Sequence, residues 1–357
     1  MKVKIKTLTP IWTGDVDKKC SKIKETGIIG SLRWWYEAIV RGFGGCACDS
    51  VSEVVKKCEL NVEKYKMGAR PEELICPVCY VFGTTGWSKR FRLEIDKNSY
   101  RSVTLSLATS GLRCNYSPLS RNVKWWLDQT LGGTNPRAIT EKTNEGVFLN
   151  VTASDPIIVD IIYLILKTVQ EFGALGSHNS YGFGIIKVLE PPNINIHKAL
   201  SYIEQYCGKW RCDEETRLKI SKLPNLKHAF KIDFRLLSEL HNKNIGFILK
   251  YAMRNKFKNN KRYGKNFAER LFGSKKDRPK KFSGKVFVSN CWEENGKYFF
   301  RVYGMLPPLI LDSKKKEDIM GTIEECVSEC LDVEVVSRTS LDLGEDEYLS
   351  TSLLKNW

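Results

Sequence analysis

Once insertions are set aside, the same order of predicted elements, strand, helix, strand, strand, helix and strand, occurs twice along the sequence. Alternating apolar and polar residues predict the strands, and apolar residues at three- and four-residue spacing predict the helices. In the first half the strands fall at residues 2–8, 91–95, 103–107, 147–152 and 182–189, and the helices at 31–42, 157–172 and, in an insertion, 122–131. In the second half the strands fall at 230–236, 285–289, 298–303 and 333–336, and the helices at 245–254 and 316–330.

This repeated order predicts an α+β fold made of tandem ferredoxin-like domains (βαββαβ, RRM-like) with inserted helices and loops. A length of 357 residues suits two domains. We expect an N-terminal domain with insertions at 1–192, a helical connection at 193–225, and a C-terminal domain at 226–357 that carries a basic insertion at 250–285. Many RNA-binding modules share this architecture, but the fold alone does not assign a function.

The sequence carries a large excess of positive charge, with 57 Lys and Arg against 41 Asp and Glu and a formal net charge of +16. Nucleic acid is the commonest partner of such an excess, because Lys and Arg release counterions from phosphates. A membrane surface would also require an apolar anchor, and the most apolar stretch, residues 156–169, is interrupted by Asp160 and Lys167. Because residues 1–9 lack a signal-peptide pattern, we expect a cytoplasmic protein with no membrane partner.

The densest basic segment, residues 250–285, holds 14 Lys and Arg against two acidic residues, with aromatic residues interleaved. This pattern favours a groove in which phosphates meet cations and bases stack on rings; the alternative is a solvated basic loop whose aromatics belong to the core. Its candidate single-stranded RNA contacts are Arg254, Lys256, Lys258, Lys261, Arg262, Lys275 and Lys276. A smaller cluster, Lys89, Arg90 and Arg92, occupies the equivalent position in the first half, so the two loops could line one continuous track.

Residues 173–184 place four glycines between a helix and a strand. Such a loop lets the backbone approach a ligand closely and could cradle phosphate, but a tight turn that needs glycine only for its geometry is an equally good interpretation. Its polar candidates for RNA contact are Ser177, His178, Asn179 and Tyr181. His178 could act as a general base in RNA cleavage, but no paired carboxylates or second catalytic group accompany it, so a contact role is preferred.

Twelve cysteines in a cytosolic chain indicate free thiols or a metal site more than a disulfide framework. Cys76 and Cys79 form a CxxC pair, and Cys48 and Cys58 upstream could complete a four-thiolate set of the kind that zinc prefers. The upstream Cys46 and Cys48 have CxC spacing instead of CxxC, so unligated buried thiols remain the alternative to a structural zinc site.

Four segments together resemble one known family: residues 9–14 (TPIWTG), 30–37 (GSLRWWYE), 76–91 with its VFGTTGW core, and the glycine-rich loop. They are similar to the first RAMP subunit of the Cmr, or type III-B, CRISPR effector complexes. The resemblance is strong over residues 2–189 and loose beyond. It implies a non-catalytic subunit that binds crRNA and target RNA in antiviral defence and assembles with other Cmr subunits, while other subunits perform cleavage.

The family's functional positions correspond here to Arg33, Trp34 and their neighbours, to Lys89, Arg90 and Arg92, and to the glycine-rich loop. The first helix is predicted to begin at Ser31, where free N–H groups after a glycine could meet phosphate. A helix cannot bury Trp34 and both aromatic residues after it on one face, so at least one ring should be exposed. The main rival function is a CRISPR RNA-processing endoribonuclease of the same superfamily; a third is a subunit that only docks proteins.

Overall fold

A computed structural model describes residues 1–14, 20–49, 55, 57–105, 136–190, 194–239, 244–273, 284–306, 308–311, 316–341, 349 and 353–354. The strands are β1 (Lys2–Thr7), β2 (Phe91–Ile95), β3 (Tyr100–Thr104), β4 (Arg137–Glu141), β5 (Val147–Ala153), β6 (Ile186–Glu190), β7 (Ala229–Leu236), β8 (Val286–Val288), β9 (Trp292–Glu294), β10 (Lys297–Met305) and β11 (Val333–Ser340). The helices are α1 (Glu25–Gly42), α2 (Val62–Lys66), α3 (Pro71–Leu74), α4 (Pro77–Phe82), α5 (Pro156–Phe172), α6 (Ile196–Lys209), α7 (Glu214–Ile220), α8 (Gly246–Asn259), α9 (Gly264–Phe272), α10 (Pro308–Leu311) and α11 (Lys316–Cys330).

The first half is built on a four-stranded antiparallel sheet in the order β2-β5-β1-β6. Alternate residues of β1, including Val3 and Ile5, are buried, which is the period of a strand with one face on a core. Helices α1 and α5 pack against each other and cover this core. Among the described helices, including the apolar α5, none has the length and apolar character needed to cross a bilayer.

The second half is built on another antiparallel sheet, in the order β11-β7-β10-β8, with the short β9 paired to β10. Phe234 and Phe300 stack at the centre of its core, with ring centroids 5.0 Å apart. The helices α8 and α11 pack against each other over this sheet. The predicted α+β class with antiparallel sheets is therefore confirmed.

The structure departs from the predicted elements at several places. Helix α1 begins at Glu25 instead of Ser31, because Ile28 already belongs to its buried face. The strand predicted at 103–107 is β3, which begins earlier and pairs with β4 in a separate two-stranded sheet. Helix α9 was not predicted, because the basic composition of this stretch resembles a loop; the helix predicted at 122–131 lies outside the described residues.

Charged side chains join the two halves at the C-terminal end of α5. Arg301 on β10 donates to the backbone carbonyls of Gln170 and Glu171 and forms a two-pronged ion pair with Asp233. Lys231 pairs with the Glu171 carboxylate at 2.5 Å. The guanidinium therefore satisfies terminal carbonyls of a helix of the first half while it is anchored to the sheet of the second.

Replacing Arg301 by methionine should lower the free energy of unfolding by about 3–5 kcal/mol, because it leaves the buried Asp233 carboxylate without its main partner. The matched control is Arg338→Met, which removes a more exposed ion pair with Glu317 and should cost less than about 1 kcal/mol. Urea unfolding at neutral pH measures both. Equal losses in the two variants would contradict a structural role for the buried network.

The same network gives stability a definite pH dependence. Burial raises the pKa of Asp233, but Arg301 and Lys231 lower it more, so its pKa lies below the ordinary value. Its contribution is present above the unfolded-state pKa near 3.9 and is lost as the pH falls through the lower folded-state pKa. In the Arg301→Met variant this part of the acid sensitivity should diminish.

Candidate nucleic-acid interface and metal centre

A cavity of about 1050 Å³ lies between the two halves. Its first-half wall comes from the loop after β1, from one side of α1 and from the glycine-rich loop; its second-half wall comes from the start of β8 and the end of β10. The cavity therefore brings together the segment at 9–14, helix α1, the glycine-rich loop and the end of the basic segment 250–285. Among the described residues, the charged ones in this wall are three cations, Lys24, Arg33 and Lys285, and one carboxylate, Asp49, so the described wall favours an anionic or polar ligand.

Helix α1 presents Trp34 to this cavity. Trp35 and Tyr36 are buried, whereas Trp34 is half-buried and packs edge-on against Trp35 with ring centroids 5.1 Å apart. The expectation that one of the three rings would stay accessible is met by Trp34. Arg33 and Trp34 lie well inside α1, so their N–H groups are not those of a helix start. The predicted helix start at Ser31 is therefore wrong, whereas the RNA contact of Arg33 and Trp34 stays a prediction.

The glycine-rich loop owes its glycines to close backbone approaches. Gly176, Gly182 and Gly184 all have φ near +90°, and a Cβ at each would lie 2.2–2.6 Å from a backbone atom of another residue. These contacts support the tight-turn interpretation directly. The loop nonetheless brings polar side chains to the cavity, since Ser177, His178 and Asn179 are in its wall.

His178 is a non-glycine residue in the left-handed region, with φ of 60°. Its Nδ1 lies 3.3 Å from the Ser177 hydroxyl, and its ring lies 5.0 Å from the indole of Trp12 and 5.5 Å from the ring of Tyr181. Tyr181 itself is outside the cavity wall and stacks on Phe247 of α8. The loop thus holds His178 in a defined position between two aromatic rings.

Replacing Gly182 by alanine should destabilise the protein by roughly 2–5 kcal/mol, through the left-handed backbone and overlap with the Asn290 backbone nitrogen 2.5 Å away. Asn290 donates to the carbonyls of Gly182 and Tyr181, so this contact links the loop to the second half. The control is Gly296→Ala, where φ is +72° but nothing lies within 4 Å of the new Cβ. The difference between the two variants in melting temperature measures the steric part of the destabilisation. Identical decreases in melting temperature would contradict a steric clash at residue 182.

The second-half wall contains residues that sequence reasoning did not select as site residues, namely Lys285, Phe287 and Tyr303. Burial lowers the pKa of Lys285, while the Asp49 carboxylate acts in the opposite direction. Behind Phe287, the ammonium of Lys250 lies 4.9 Å from the ring centroid, and burial followed by Arg254 lowers the pKa of Lys250 to about 8. Basic composition was the available signal for Lys285, whereas nothing in the pattern of β10 distinguished Tyr303.

Three buried polar atoms in the cavity wall have no hydrogen-bond partner within the described structure: Trp12 Nε1, Asn179 Oδ1 and Tyr303 Oη. An unpaired buried polar group costs about 1–3 kcal/mol, and such groups are few in folded proteins. The indole nitrogen of Trp12 is a donor, the amide oxygen of Asn179 is an acceptor, and the hydroxyl of Tyr303 can be either. A ligand with a mixed polar edge could satisfy them after a small movement of the wall.

Lys89 and Arg92 lie outside the large cavity, in a shallow depression of about 410 Å³ with residues 152–154. Both side chains are exposed, and Arg92 pairs with Glu94. Arg90 is half-buried beside the stacked rings of Tyr80 and Trp87, with centroids 5.5 and 5.4 Å from its guanidinium carbon. The cluster is basic, but the cavity between the halves does not include it.

Several cations of the basic segment pair with acidic neighbours, whereas Lys285 at its end lines the cavity. Arg254 pairs with Glu269, Lys256 with Glu325 and Glu329, and Arg262 with Asp318. Lys258 and Lys261 are exposed, and Lys275 and Lys276 lie outside the described residues. Within the described part of the chain, acidic residues on α9 and α11 therefore pair with several of these charges. The single track through both basic loops stays a prediction.

Cys48, Cys58, Cys76 and Cys79 form a cluster in which all four sulfur atoms lie within 4.8 Å of one another. The Cys48 and Cys79 sulfurs are 3.2 Å apart, and those of Cys48 and Cys76 are 3.8 Å apart. Tetrahedral zinc with Zn–S bonds of about 2.3 Å would separate its sulfurs by roughly 3.8 Å. The spacing and the burial therefore fit a closed four-thiolate metal site, and this cluster could hold a metal.

Arg33 connects this cluster to the cavity. Its guanidinium lies 3.4 Å from the Cys79 sulfur and 4.0 Å from the Cys48 sulfur, and it donates to the Gly83 carbonyl at 2.9 Å. Burial lowers the pKa of Arg33, but Cys79, Cys48 and Glu37 raise it more, so its pKa lies above the ordinary value. A cation in this position balances the charge of metal-bound thiolates.

Cys46, two residues before Cys48, forms a disulfide with Cys212. Only free thiols or metal ligands had been expected in this chain. The Cα atoms are 5.9 Å apart, which is in the ordinary range for a disulfide. Because the partner is 166 residues away in sequence, only the folded chain brings the two together.

Comparison with known proteins places the chain in a family. Residues 4–187, about half of the sequence, match the sequence model of the RAMP superfamily. No curated protein sequence matches.

Solved structures of similar fold include the apo form of Cmr1 from Pyrococcus furiosus, with 14% identity, coverage of 94% of this chain and 98% of that one, and a TM-score of 0.44. A chain of the type III-B Cmr-beta complex bound to cognate target RNA and AMPPnP in the presence of ssDNA has 13% identity, coverage of 92% and 99%, and a TM-score of 0.48. A chain of Cmr-beta bound to cognate target RNA has 12% identity, coverage of 91% and 98%, and a TM-score of 0.44. On the match that spans β1, α1, the cysteine cluster and the glycine-rich loop, this chain belongs to the RAMP superfamily.

Proposed function

We propose that this protein is a non-catalytic subunit of a type III-B CRISPR (Cmr) effector complex that binds single-stranded crRNA or target RNA in antiviral defence. One observation carries the proposal: the two halves close around a cavity in which the half-buried Trp34, the polar residues Ser177 to Asn179 and the basic Lys285 meet. A base can stack on the indole while phosphate meets the cations. The net charge of +16 supports a polyanionic partner.

Membership of the RAMP superfamily supports this proposal. The resemblance of residues 9–14, 30–37 and 76–91 to the first Cmr subunit supports the choice of the Cmr complex. Its partners would be RNA and other Cmr subunits, in the cytoplasm. We also propose that the exposed basic residues Lys89, Arg92, Lys258 and Lys261, which lie outside the cavity, add nonspecific phosphate contacts. We propose the same role for Lys275 and Lys276, which lie outside the described residues.

We infer that each half is a ferredoxin-like unit, with boundaries at 1–192 and 226–357 and a connection at 193–225. The argument is the strand order of the two sheets. If the sheet strands of each half are numbered along the chain, with the short β9 left out, both orders read fourth, first, third, second. A helix follows the first and the third strand in each half, as in βαββαβ units.

The four-cysteine cluster is proposed to bind a structural zinc ion. Four sulfur ligands in a closed site are typical of structural zinc, which has no open position for chemistry. Cys76 and Cys79 frame the first turn of α4, and Cys48 follows the C-terminal end of α1. The metal would hold the segment around residues 57–83 against α1.

The rival function, an endoribonuclease, is favoured by one observation: His178 lies in the same cavity wall as Lys24, Lys285 and Tyr303. A histidine beside cations is a combination that can support metal-independent cleavage of RNA. Replacing His178 by alanine separates the two functions. An enzyme would lose turnover, whereas a binding subunit has no turnover to lose.

The proposal is tested by fluorescence anisotropy of a labelled single-stranded RNA with the purified chain, over a range of salt concentrations, with a parallel cleavage assay. We expect binding whose logarithmic affinity falls linearly with the logarithm of salt concentration, because phosphate contacts release counterions, and intact RNA after incubation. Affinity that does not depend on salt would instead indicate a subunit that docks proteins. Cleavage that disappears in His178→Ala would establish the endoribonuclease.

A further inference from the structure

The proposed metal centre and the proposed RNA site share a wall. Arg33 lines the cavity, and the same guanidinium contacts the sulfurs of Cys79 and Cys48 and the carbonyl of Gly83. Gly83 immediately follows α4, the helix that begins beside Cys76 and contains Cys79. One side chain therefore touches both sites.

A second connection runs through the backbone. Asp49 directly follows the cluster residue Cys48, is only 9% exposed and lines the cavity. It acts electrostatically on Lys285 of the second half and on Glu37 and Arg41 of α1. A metal bound to Cys48 would therefore also hold Asp49, the next residue, whose carboxylate is part of this wall.

The charges make both connections depend on the metal. Zinc with four thiolates carries roughly two negative charges, and Arg33 is the cation in contact with it. When the metal leaves, Arg33 loses the negative charge of the metal centre that it contacts, and Cys48 loses the bond that would fix the backbone just before Asp49.

We propose that the four-cysteine centre controls the RNA cavity, with Arg33 and Asp49 as the positioning residues, so that metal occupancy and RNA affinity are coupled. This inference rests on the proposed function and on the proposed zinc site. Coupling between binding sites is reciprocal, so RNA must strengthen zinc binding by the same factor by which zinc strengthens RNA binding. A factor of roughly 10 is typical of such coupling.

The test measures zinc affinity by competition with a chelator of known affinity, with and without saturating single-stranded RNA. Partial competition keeps most of the protein loaded, and circular dichroism records whether the metal-free fraction stays folded. In the wild type we expect RNA to raise zinc affinity about tenfold. Failure of the loaded wild type to bind RNA would overturn the proposed function itself; RNA binding with unchanged zinc affinity would overturn only the coupling.

The variant Arg33→Met separates positioning from simple stabilisation of the fold. RNA could also strengthen zinc binding only because it stabilises the folded chain. In that case the ratio of zinc affinity with RNA to that without RNA would be the same in this variant as in the wild type. Equal ratios would therefore overturn the proposed role of Arg33. We expect Arg33→Met to bind one zinc ion per chain but to show a factor closer to one. Arg338→Met is the control, because Arg338 pairs with Glu317 in the second half and belongs neither to the four-cysteine cluster nor to the cavity wall; it should retain the wild-type factor.

Discussion

Replacing Cys79 by serine should abolish binding of the proposed zinc ion and lower the free energy of unfolding by several kcal/mol. The Cys79 sulfur is buried and lies 3.2 Å from that of Cys48, so its loss opens the proposed coordination shell. Zinc binding provides roughly 10–16 kcal/mol in zinc-finger peptides, where it drives folding. Here part of that energy would hold residues 57–83 against the first half of the chain. Metal analysis of the purified protein and thermal unfolding measure the two effects.

The control for this prediction is Cys326→Ala, which removes a buried thiol of α11 outside the cluster. It should retain one metal ion per chain and lose about 1–2 kcal/mol, the range of a small change in a core. A wild-type protein that holds no zinc after purification from zinc-supplied cells would contradict the assignment. So would a Cys79→Ser protein with full metal content.

Replacing Trp34 by leucine should weaken binding of single-stranded RNA by roughly 5- to 150-fold. Stacking of a base on an aromatic ring is worth about 1–3 kcal/mol, and Trp34 is the half-buried ring that α1 brings to the cavity. Leucine keeps an apolar side chain against Trp35, so the fold should persist. Anisotropy titrations at fixed salt concentration give the affinity.

Trp210→Leu is the matched control, since this partly buried tryptophan packs beside the first core, away from the cavity. Its RNA affinity should equal that of the wild type. If Trp34→Leu binds RNA as tightly as this control, base stacking in the cavity is not part of recognition.

Lys285→Gln tests the phosphate component, because loss of one phosphate contact should reduce the salt slope by about one.

The sequence predicted much of the fold because local patterns determined it. Residues 91–95 alternate cleanly, and β2 has the predicted bounds; the helix predicted at 316–330 coincides with α11. The start of α1 was misplaced because glycines at 27 and 30 resembled a break, although Ile28 and Leu32 continue the buried face of the helix. Helical packing outweighed the low propensity of these glycines.

The candidate site was only partly predictable. Cys48, Cys58, Cys76 and Cys79 were found from spacing, since CxxC with nearby thiols is a recognisable ligand pattern. The cavity was not, because Asp49 and Tyr303 are separated by most of the chain and meet only after both sheets form. Charge counting also overestimated the basic segment, because it cannot show that Lys256 and Arg262 face acidic residues of α11.

The most direct test of the account is photo-crosslinking of single-stranded RNA that contains 4-thiouridine to the purified chain, followed by peptide mapping. The account predicts crosslinks in the cavity wall, at residues 24–35, 176–179 and 284–287, and their loss in Trp34→Leu. Crosslinks confined to the exposed lysines at 258 and 261 or to residues 89–92, with none in the wall, would contradict the claim that RNA binds between the two halves.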